Sequence, residues 1–242
     1  MGEFYGYKIA GFWNDQAEID AANKEAQNAT NSSTAIYQSD IGLGRFRYVD
    51  VNGDHQITDA DRTFIGNPHP KFTYGLNLAL TYKNFDFSMF FYGSQGNNIW
   101  NQSKYWLDFF ASLPGVKSHT ALYDSWTPTH HNAKAPIQEN KGFASTNNVP
   151  NSYYVENGSF LKAKNVSLGY TFPHNILKRA FINSLRIYVQ VTNLFTITKY
   201  SGLDPEVPGG TVSGVSAITD FGVDEGSYPY TRNFLVGINL EF

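Results

Sequence analysis

The fold of this chain is decided by residues 71–93, which read KFTYGLNLALTYKNFDFSMFFYG. From position 72 onward, large apolar residues occupy alternate positions, and small or polar residues lie between them. A period of two places these two sets on opposite faces of a β-strand. The pattern is interrupted at Lys83 and Asn84 and then resumes, so the stretch predicts a β-hairpin with one aromatic-rich apolar face and one small, polar face.

Each arm of the hairpin has about 9–11 residues, the length at which a tilted strand crosses a bilayer. A β-sandwich in water shows the same alternation, so the hairpin alone leaves a membrane barrel and a soluble domain open. Aromatic residues make up 16% of the 242 residues, and the mean hydropathy is nonetheless −0.36. This combination favours a transmembrane β-barrel, because only alternate residues of its strands meet lipid.

The composition also excludes several classes of protein. The sequence has no run of about 18 apolar residues, which excludes a transmembrane helix. The net charge of −3 and the pI near 6.0 argue against nucleic-acid binding, and the absence of cysteine excludes disulfides and thiolate metal sites. No G-x-S-x-G, P-loop or dinucleotide-binding motif is present, so an enzyme is the least favoured class.

The rest of the chain supplies further strands and a helix. Residues 3–13 are predicted to form the first strand, and the capping-box pattern from Asp15 to Glu18 opens a helix that ends near residue 27. Alternating apolar residues predict three more strands, at residues 159–172, 185–192 and 231–242.

The connections between about six principal strands alternate in length. The long ones include residues 94–157 and 196–228, and short turns lie between them. Outer-membrane barrels have long extracellular loops and short periplasmic turns. We therefore predict an all-β protein: an antiparallel transmembrane β-barrel segment with long extracellular loops, located in the cell outer membrane.

Short motifs along nearly the whole chain identify a family. They read FYGYK at 4–8, YVDVNGD at 48–54, DR at 61–62, IGNP at 65–68, NGSFLKAKN at 157–165, LGYTFP at 168–173, TNLF at 192–195, GLDPE at 202–206 and YP at 228–229. In order and approximate spacing, these segments resemble the C-terminal part of the SusC/RagA-type TonB-dependent transporters.

The resemblance implies energy-coupled import of large nutrients, usually glycans or peptides, through a barrel of about 22 strands. Residues 1–242 would then supply about six C-terminal strands of that barrel, with the plug domain and the earlier strands outside this chain. So few strands cannot close a barrel, and lipid does not tolerate open strand edges, so we expect a fragment or one chain of a split transporter. The implied partners are the remaining barrel and plug, a SusD-like surface lipoprotein, TonB through the missing N-terminal part, outer-membrane lipid, and a glycan or peptide substrate, but no nucleic acid.

An acidic segment at residues 50–61 has the spacing of oxygen ligands in an EF-hand-like calcium loop. It departs from that pattern because His55 replaces the glycine and the last ligand is an aspartate rather than a glutamate. The alternative is a turn rich in Asp and Asn that is held by its own side-chain-to-backbone hydrogen bonds. The candidate ligands of Ca²⁺ are Asp50, Asn52, Asp54, Gln56, Thr58 and Asp61.

The chain closes with GINLEF, in which Gly237, Leu240 and Phe242 match the terminal signal by which outer-membrane barrels are recognised for insertion. Leu235 stands where that signal usually has a polar residue, and the alternative is an ordinary edge strand that ends in phenylalanine. Four aromatic residues in the long connection are candidates for stacking on sugar rings, or else form a small core of that connection. These residues are Trp100, Tyr105, Trp106 and Trp126.

The sequence is therefore consistent with two functions. The first is nutrient uptake through an outer-membrane importer, which works by binding and gating. The second is carbohydrate binding by a soluble all-β module with a calcium loop.

Overall fold

The computed structural model describes residues 2–110, 112–113, 115–140, 149–178, 181–207 and 220–242. Its strands are β1 (Phe4–Gly6), β2 (Ile9–Phe12), β3 (Phe46–Tyr48), β4 (Thr63–Gly66), β5 (Phe72–Tyr82), β6 (Phe85–Gln95), β7 (Asn98–Asn101), β8 (Val155–Asn157), β9 (Phe160–Thr171), β10 (Ser184–Thr198), β11 (Val223–Asp224) and β12 (Asn233–Glu241). Its α-helices are α1 (Gln16–Thr30), α2 (Ser103–Leu107), α3 (His119–Tyr123) and α4 (His174–Leu177). None of the helices in the described ranges is long and apolar enough to cross a membrane.

The chain divides into two compact units. The sheet unit consists of His69–Asn97, Asn157–Glu206 and Ser227–Phe242. The loop unit consists of Met1–Pro68, Asn98–Glu156 and Val207–Gly226.

The sheet unit contains a five-stranded antiparallel sheet with the order β12-β10-β9-β6-β5. Its β5 and β6 are the predicted hairpin, which is confirmed in full register from Phe72 opposite Gln95 to Tyr82 opposite Phe85. Asn84 in the turn donates its side-chain N–H to the carbonyl of Thr171 at 2.7 Å, so the turn is fixed to the next strand.

The three strands predicted downstream are also confirmed, with shifted ends. The strand predicted at residues 185–192 continues to Thr198. Its pairing with β9 is interrupted by a bulge after Thr192 and resumes at Phe195. A matching irregularity lies on β9, where Asn165 pairs with Phe90 while Ala163 pairs with the next residue of β6. Lys164 is therefore the extra residue of a β-bulge.

The prediction of one continuous strand at residues 3–13 is wrong. These residues form β1 and β2, which pair with β4 and β3 in two separate two-stranded sheets. The break lies at Tyr7, whose side chain is buried in an aromatic core and whose backbone bonds to Pro150 and Ser152. The main sheet consequently has five strands in the described part of the chain, not about six.

The loop unit has its own core in two clusters. One is aromatic and consists of Tyr7, Phe46, Tyr48, Phe109 and Tyr154. The other is built around α1, whose buried Ile19, Ala22 and Ala26 pack against Trp13 and Tyr37. The Asp15 side chain accepts the backbone N–H of Glu18 at 2.8 Å, which confirms the predicted helix start.

The long connection at residues 94–157 is more regular than the sequence suggested. It contains β7, α2, α3 and β8, and β7 lies between β11 and β8 in a three-stranded sheet. The predicted long loop at residues 196–228 lies partly outside the described residues, since 208–219 are not described.

Candidate functional site

The five-stranded sheet has two chemically different faces, as the period of two predicts. The register places one set of large apolar side chains together across all five strands, and we call this set the apolar face. Its members are Phe72, Tyr74, Leu76, Leu78, Leu80, Tyr82, Phe85, Phe87, Met89, Phe91, Val166, Leu168, Tyr170, Leu185, Ile187, Val189, Val191, Phe234, Val236, Ile238 and Leu240. Many of these side chains are exposed, with 71% of Val236 and 57% of Leu80 accessible. A continuous apolar surface of this kind requires an apolar environment or a partner.

The opposite side, which we call the polar face, carries mostly small, hydroxyl, amide and charged side chains, together with large ones that include Phe90, Tyr92, Tyr188 and Leu235. Its members include Thr73, Asn77, Thr81, Asp86, Ser88, Lys162, Asn165, Ser167, Gly169, Arg186, Gln190, Thr192 and Asn239. This composition suits contact with water or with polar solutes.

An ion pair crosses three strands on the polar face. Arg186 on β10 donates from Nε to Asp86 Oδ1 on β6 at 2.9 Å, and from Nη2 to Asp86 Oδ2. The intervening strand contributes Gly169, where a Cβ atom would lie 2.4 Å from Asp86 Oδ1 and 2.5 Å from Arg186 Nη2. The missing side chain of Gly169 therefore lets the charged pair pass over β9.

A second charged cluster lies at the other end of β9. Lys162 Nζ is 2.6 Å from Asp204 Oδ1 and 2.9 Å from Glu206 Oε2. Lys164 Nζ is 2.7 and 2.8 Å from the two oxygens of Glu206. Sequence reasoning missed this cluster, although the alternation in residues 159–165 places lysines at 162 and 164 and the GLDPE motif supplies two carboxylates.

The predicted calcium loop is closed by its own hydrogen bonds. Both carboxylate oxygens of Asp50 accept backbone N–H groups, at 2.7 and 2.8 Å. Asp61 is fully buried and accepts two more, at 2.9 and 2.8 Å. Asn52 and Asp54 bond to each other, and Asp54 also accepts the backbone N–H of Gln56.

The donor types in this loop suit a hard cation, because carboxylate and amide oxygens are its preferred ligands. Their oxygens nevertheless bond to backbone groups of the loop, as the alternative of a self-bonded turn requires. Among the described residues, no group of three or more His, Cys, Asp or Glu side chains is arranged to hold a metal. Calcium binding at this loop stays a prediction.

The four candidate aromatic residues occupy different environments. Trp126 is 2% exposed and donates from Nε1 to Asn14 Oδ1 at 3.0 Å, so its ring faces protein. Trp100 and Tyr105 pack against the aromatic core of the loop unit. Trp106 is 44% exposed and presents part of its indole to the surroundings. A role for these rings in binding sugar stays a prediction.

Asp108 organises the long connection within the loop unit. It is buried, and it accepts hydrogen bonds from the hydroxyls of Ser118 and Tyr153, the latter at 2.7 Å. Burial, with Asp108 adding to it, raises the pKa of Tyr153 above its usual range, so this phenol stays a neutral donor. This buried polar contact fixes the ring of Tyr153, which packs against Phe109 and Tyr154.

The predicted insertion signal lies at the edge of the sheet. Gly237 faces the ring of Tyr188, and a Cβ atom there would lie 2.3 Å from it. Leu240 and Phe242 are exposed at the end of the chain. Their role in recognition for insertion stays a prediction.

No family model matches this chain. It is 34% identical over 243 residues to TonB-dependent receptor P3 of Formosa agariphila, an alignment that covers 100% of this chain and 22% of that protein. It is 31% identical over 197 residues to TonB-dependent receptor SusC of Bacteroides thetaiotaomicron, covering 81% of this chain and 17% of that protein. The chain thus spans about a fifth of the length of these curated relatives.

Solved structures share the fold. A structure of the RagAB peptide transporter superposes with a TM-score of 0.71 at 22% identity, over 99% of this chain and 22% of the matched chain. The RagAB peptide importer in its open-open state gives a TM-score of 0.69 at the same identity and the same coverage. At this identity, the likeness concerns the fold.

Proposed function

This chain is a homologue of the SusC-type TonB-dependent receptors, and on that premise we propose that it forms part of the β-barrel wall of an outer-membrane nutrient importer. The observation that carries the proposal is the two-faced sheet. Its apolar face is suited to lipid and its polar face to a water-filled lumen, as a barrel wall requires.

The same observation weighs against the alternative of a soluble carbohydrate-binding module. In water, the apolar face would expose leucine, isoleucine, valine and phenylalanine side chains across five adjacent strands. Monomeric soluble proteins rarely expose apolar patches larger than a few hundred Å². A bilayer removes this cost, because the hydrocarbon of lipid is as apolar as the side chains that face it.

The proposed substrates are glycans or peptides, imported by binding and gating without covalent chemistry. The relatives are TonB-dependent receptors, and the similar structures are those of a peptide transporter. In the complete importer, a SusD-like lipoprotein would cover the extracellular side. TonB would act through parts of the transporter that lie outside this chain.

Nutrient uptake tests the proposal. The complete receptor that contains this chain is expressed in a bacterium whose own copy is deleted, and growth is followed on single glycans and on peptide mixtures. We expect the receptor in the outer-membrane fraction and restored growth on at least one nutrient. We also expect this growth to be lost when TonB is removed.

The matched control is the same strain without the receptor, grown on a monosaccharide or free amino acid that enters through general pores. Its growth should not depend on the receptor or on TonB. A receptor absent from the outer membrane, or growth that is unchanged by its deletion on every nutrient, would contradict the proposal.

A further inference from the structure

Lys162 is an unusual residue on the polar face, because its side chain is 1% exposed and carries a charge. A buried ammonium group is tolerated only where hydrogen bonds and opposite charges replace its water shell. Here two carboxylates do so, those of Asp204 and Glu206, which come from the chain segment after β10. The cation is therefore buried by a part of the chain that is distant in sequence from β9.

Aromatic rings complete the surroundings of the two lysines. The ring centre of Tyr230 is 5.0 Å from Lys162 Nζ and 5.4 Å from Lys164 Nζ. Tyr92 on β6 lies 5.5 Å from Lys164 Nζ, and Phe160 lies 5.6 Å from Lys162 Nζ. Ring faces at these distances attract cations, which adds to the attraction of the carboxylates.

The backbone conformation orients the lysines of β9 and the carboxylates of the turn toward each other. Lys164 occupies the bulge of β9, and a bulge redirects a side chain relative to the regular alternation. Both lysines consequently reach the same carboxylate, that of Glu206. On the other side, Asp204 Oδ1 accepts the backbone N–H of Glu206 at 2.9 Å, and Pro205 between them restricts the turn.

We propose that Lys162 and Lys164 form a carboxylate-binding site on the polar face, whose ligand is the chain's own turn from Asp204 to Glu206. The two lysines act as positioning residues that hold the segment following β10 against the sheet. The contacts lie within the sheet unit, so the inference does not depend on import or on the identity of a substrate.

A spin label on the turn measures whether the segment from Asp204 to Glu206 is immobilised against the sheet. The chain has no cysteine, so Leu203→Cys provides a single labelling site in this chain, and Leu203 is 66% exposed, so the label is tolerated. The complete protein that contains this chain, freed of any other cysteine, is labelled in detergent and examined by electron paramagnetic resonance. We expect a spectrum dominated by an immobilised component.

Neutral variants should release the turn. Glu206→Gln removes a charge with almost no change of shape, and Lys164→Gln removes a charge with a somewhat shorter side chain. We expect each to shift the spectrum toward a mobile component. Lys164→Arg keeps the charge and should keep the label immobile. The control is Lys83→Gln in the β5–β6 turn. Lys83 Nζ lies 5.3 Å from the centre of the Tyr82 ring. This lysine is not part of the proposed site, so its substitution should leave the spectrum of the label unchanged.

Circular dichroism of each variant confirms that the sheet is retained before the spectra are compared. A label that stays as immobile in Glu206→Gln and Lys164→Gln as in Lys83→Gln would overturn the inference. Equal release by Lys164→Arg and Lys164→Gln would also overturn it, since charge would then not be what holds the turn.

Discussion

At the scale of single residues, strand position decides which environment a side chain meets. Leu78 and Asn77 are neighbours on β5, yet the register places Leu78 opposite Met89 on the apolar face and Asn77 opposite Phe90 on the polar face. Val189 on β10 pairs with Val236 and also lies on the apolar face. Adjacent positions of one strand should therefore differ strongly in how much the same substitution destabilises the protein.

Leu78→Arg or Val189→Arg should each lower the free energy of unfolding by about 2–4 kcal/mol, because each would place a charge in hydrocarbon near the middle of the bilayer. Asn77→Arg is the matched control and should cost much less, since its face would line the wet interior. The measurement is denaturant-induced unfolding of the complete transporter in lipid bilayers. Equal tolerance of all three substitutions would contradict the assignment of the faces.

The faces of single residues could be predicted from sequence, but the charged cluster could not. Alternation in residues 71–93 is a local signal, and it placed Leu78 and Asn77 correctly. The contact between Lys162 and Glu206 joins residues 44 positions apart. This contact depends on the path that the chain takes after β10. The alternation of apolar residues indicates strands and their faces, and it does not indicate the path of a turn.

At the scale of elements, the hairpin and three later strands could be predicted because each repeats its pattern over many residues. The segment at residues 3–13 also alternates, yet it is divided between β1 and β2. Alternation shows that a segment is extended and does not show which strand it pairs with. Burial of Tyr7, together with its backbone bonds to Pro150 and Ser152, decides the pairing here.

The acidic loop at residues 50–61 is an element whose role can be decided by experiment. If it binds Ca²⁺, added calcium should slow proteolysis of the loop in the parent protein, because ligand binding stabilises the folded form. Asp50→Ala combined with Asp54→Ala should abolish that protection. The measurement is the rate of cleavage with calcium and with a chelator.

Asp59→Ala is the matched control for the calcium test. Asp59 lies in the same loop, its side chain is 84% exposed, and it is not among the proposed ligands. Protection by calcium should therefore survive this substitution. Cleavage at the same rate with calcium and with chelator in the parent protein would show that the hydrogen bonds of Asp50 and Asp61 suffice to hold the loop.

At the scale of the whole molecule, the five-stranded sheet ends in two open edges. In the parts of the chain that the structure describes, β5 pairs only with β6, and β12 pairs only with β10. Each outer edge is a row of backbone N–H and C=O groups without a strand partner. In hydrocarbon, each unsatisfied group costs several kcal/mol, so a β-sheet spans lipid only as a closed barrel.

We expect that this chain has no stable fold by itself and needs the remaining strands of its transporter. In lipid the open edges oppose insertion, and in water the apolar face, which includes Leu76, Leu80, Val236 and Ile238, drives association. Expressed alone without detergent, the chain should aggregate, as size-exclusion chromatography would show. Co-expression with the missing strands should recover a folded complex. A monodisperse monomer that melts cooperatively in plain buffer would contradict the transporter proposal and favour a soluble β-domain.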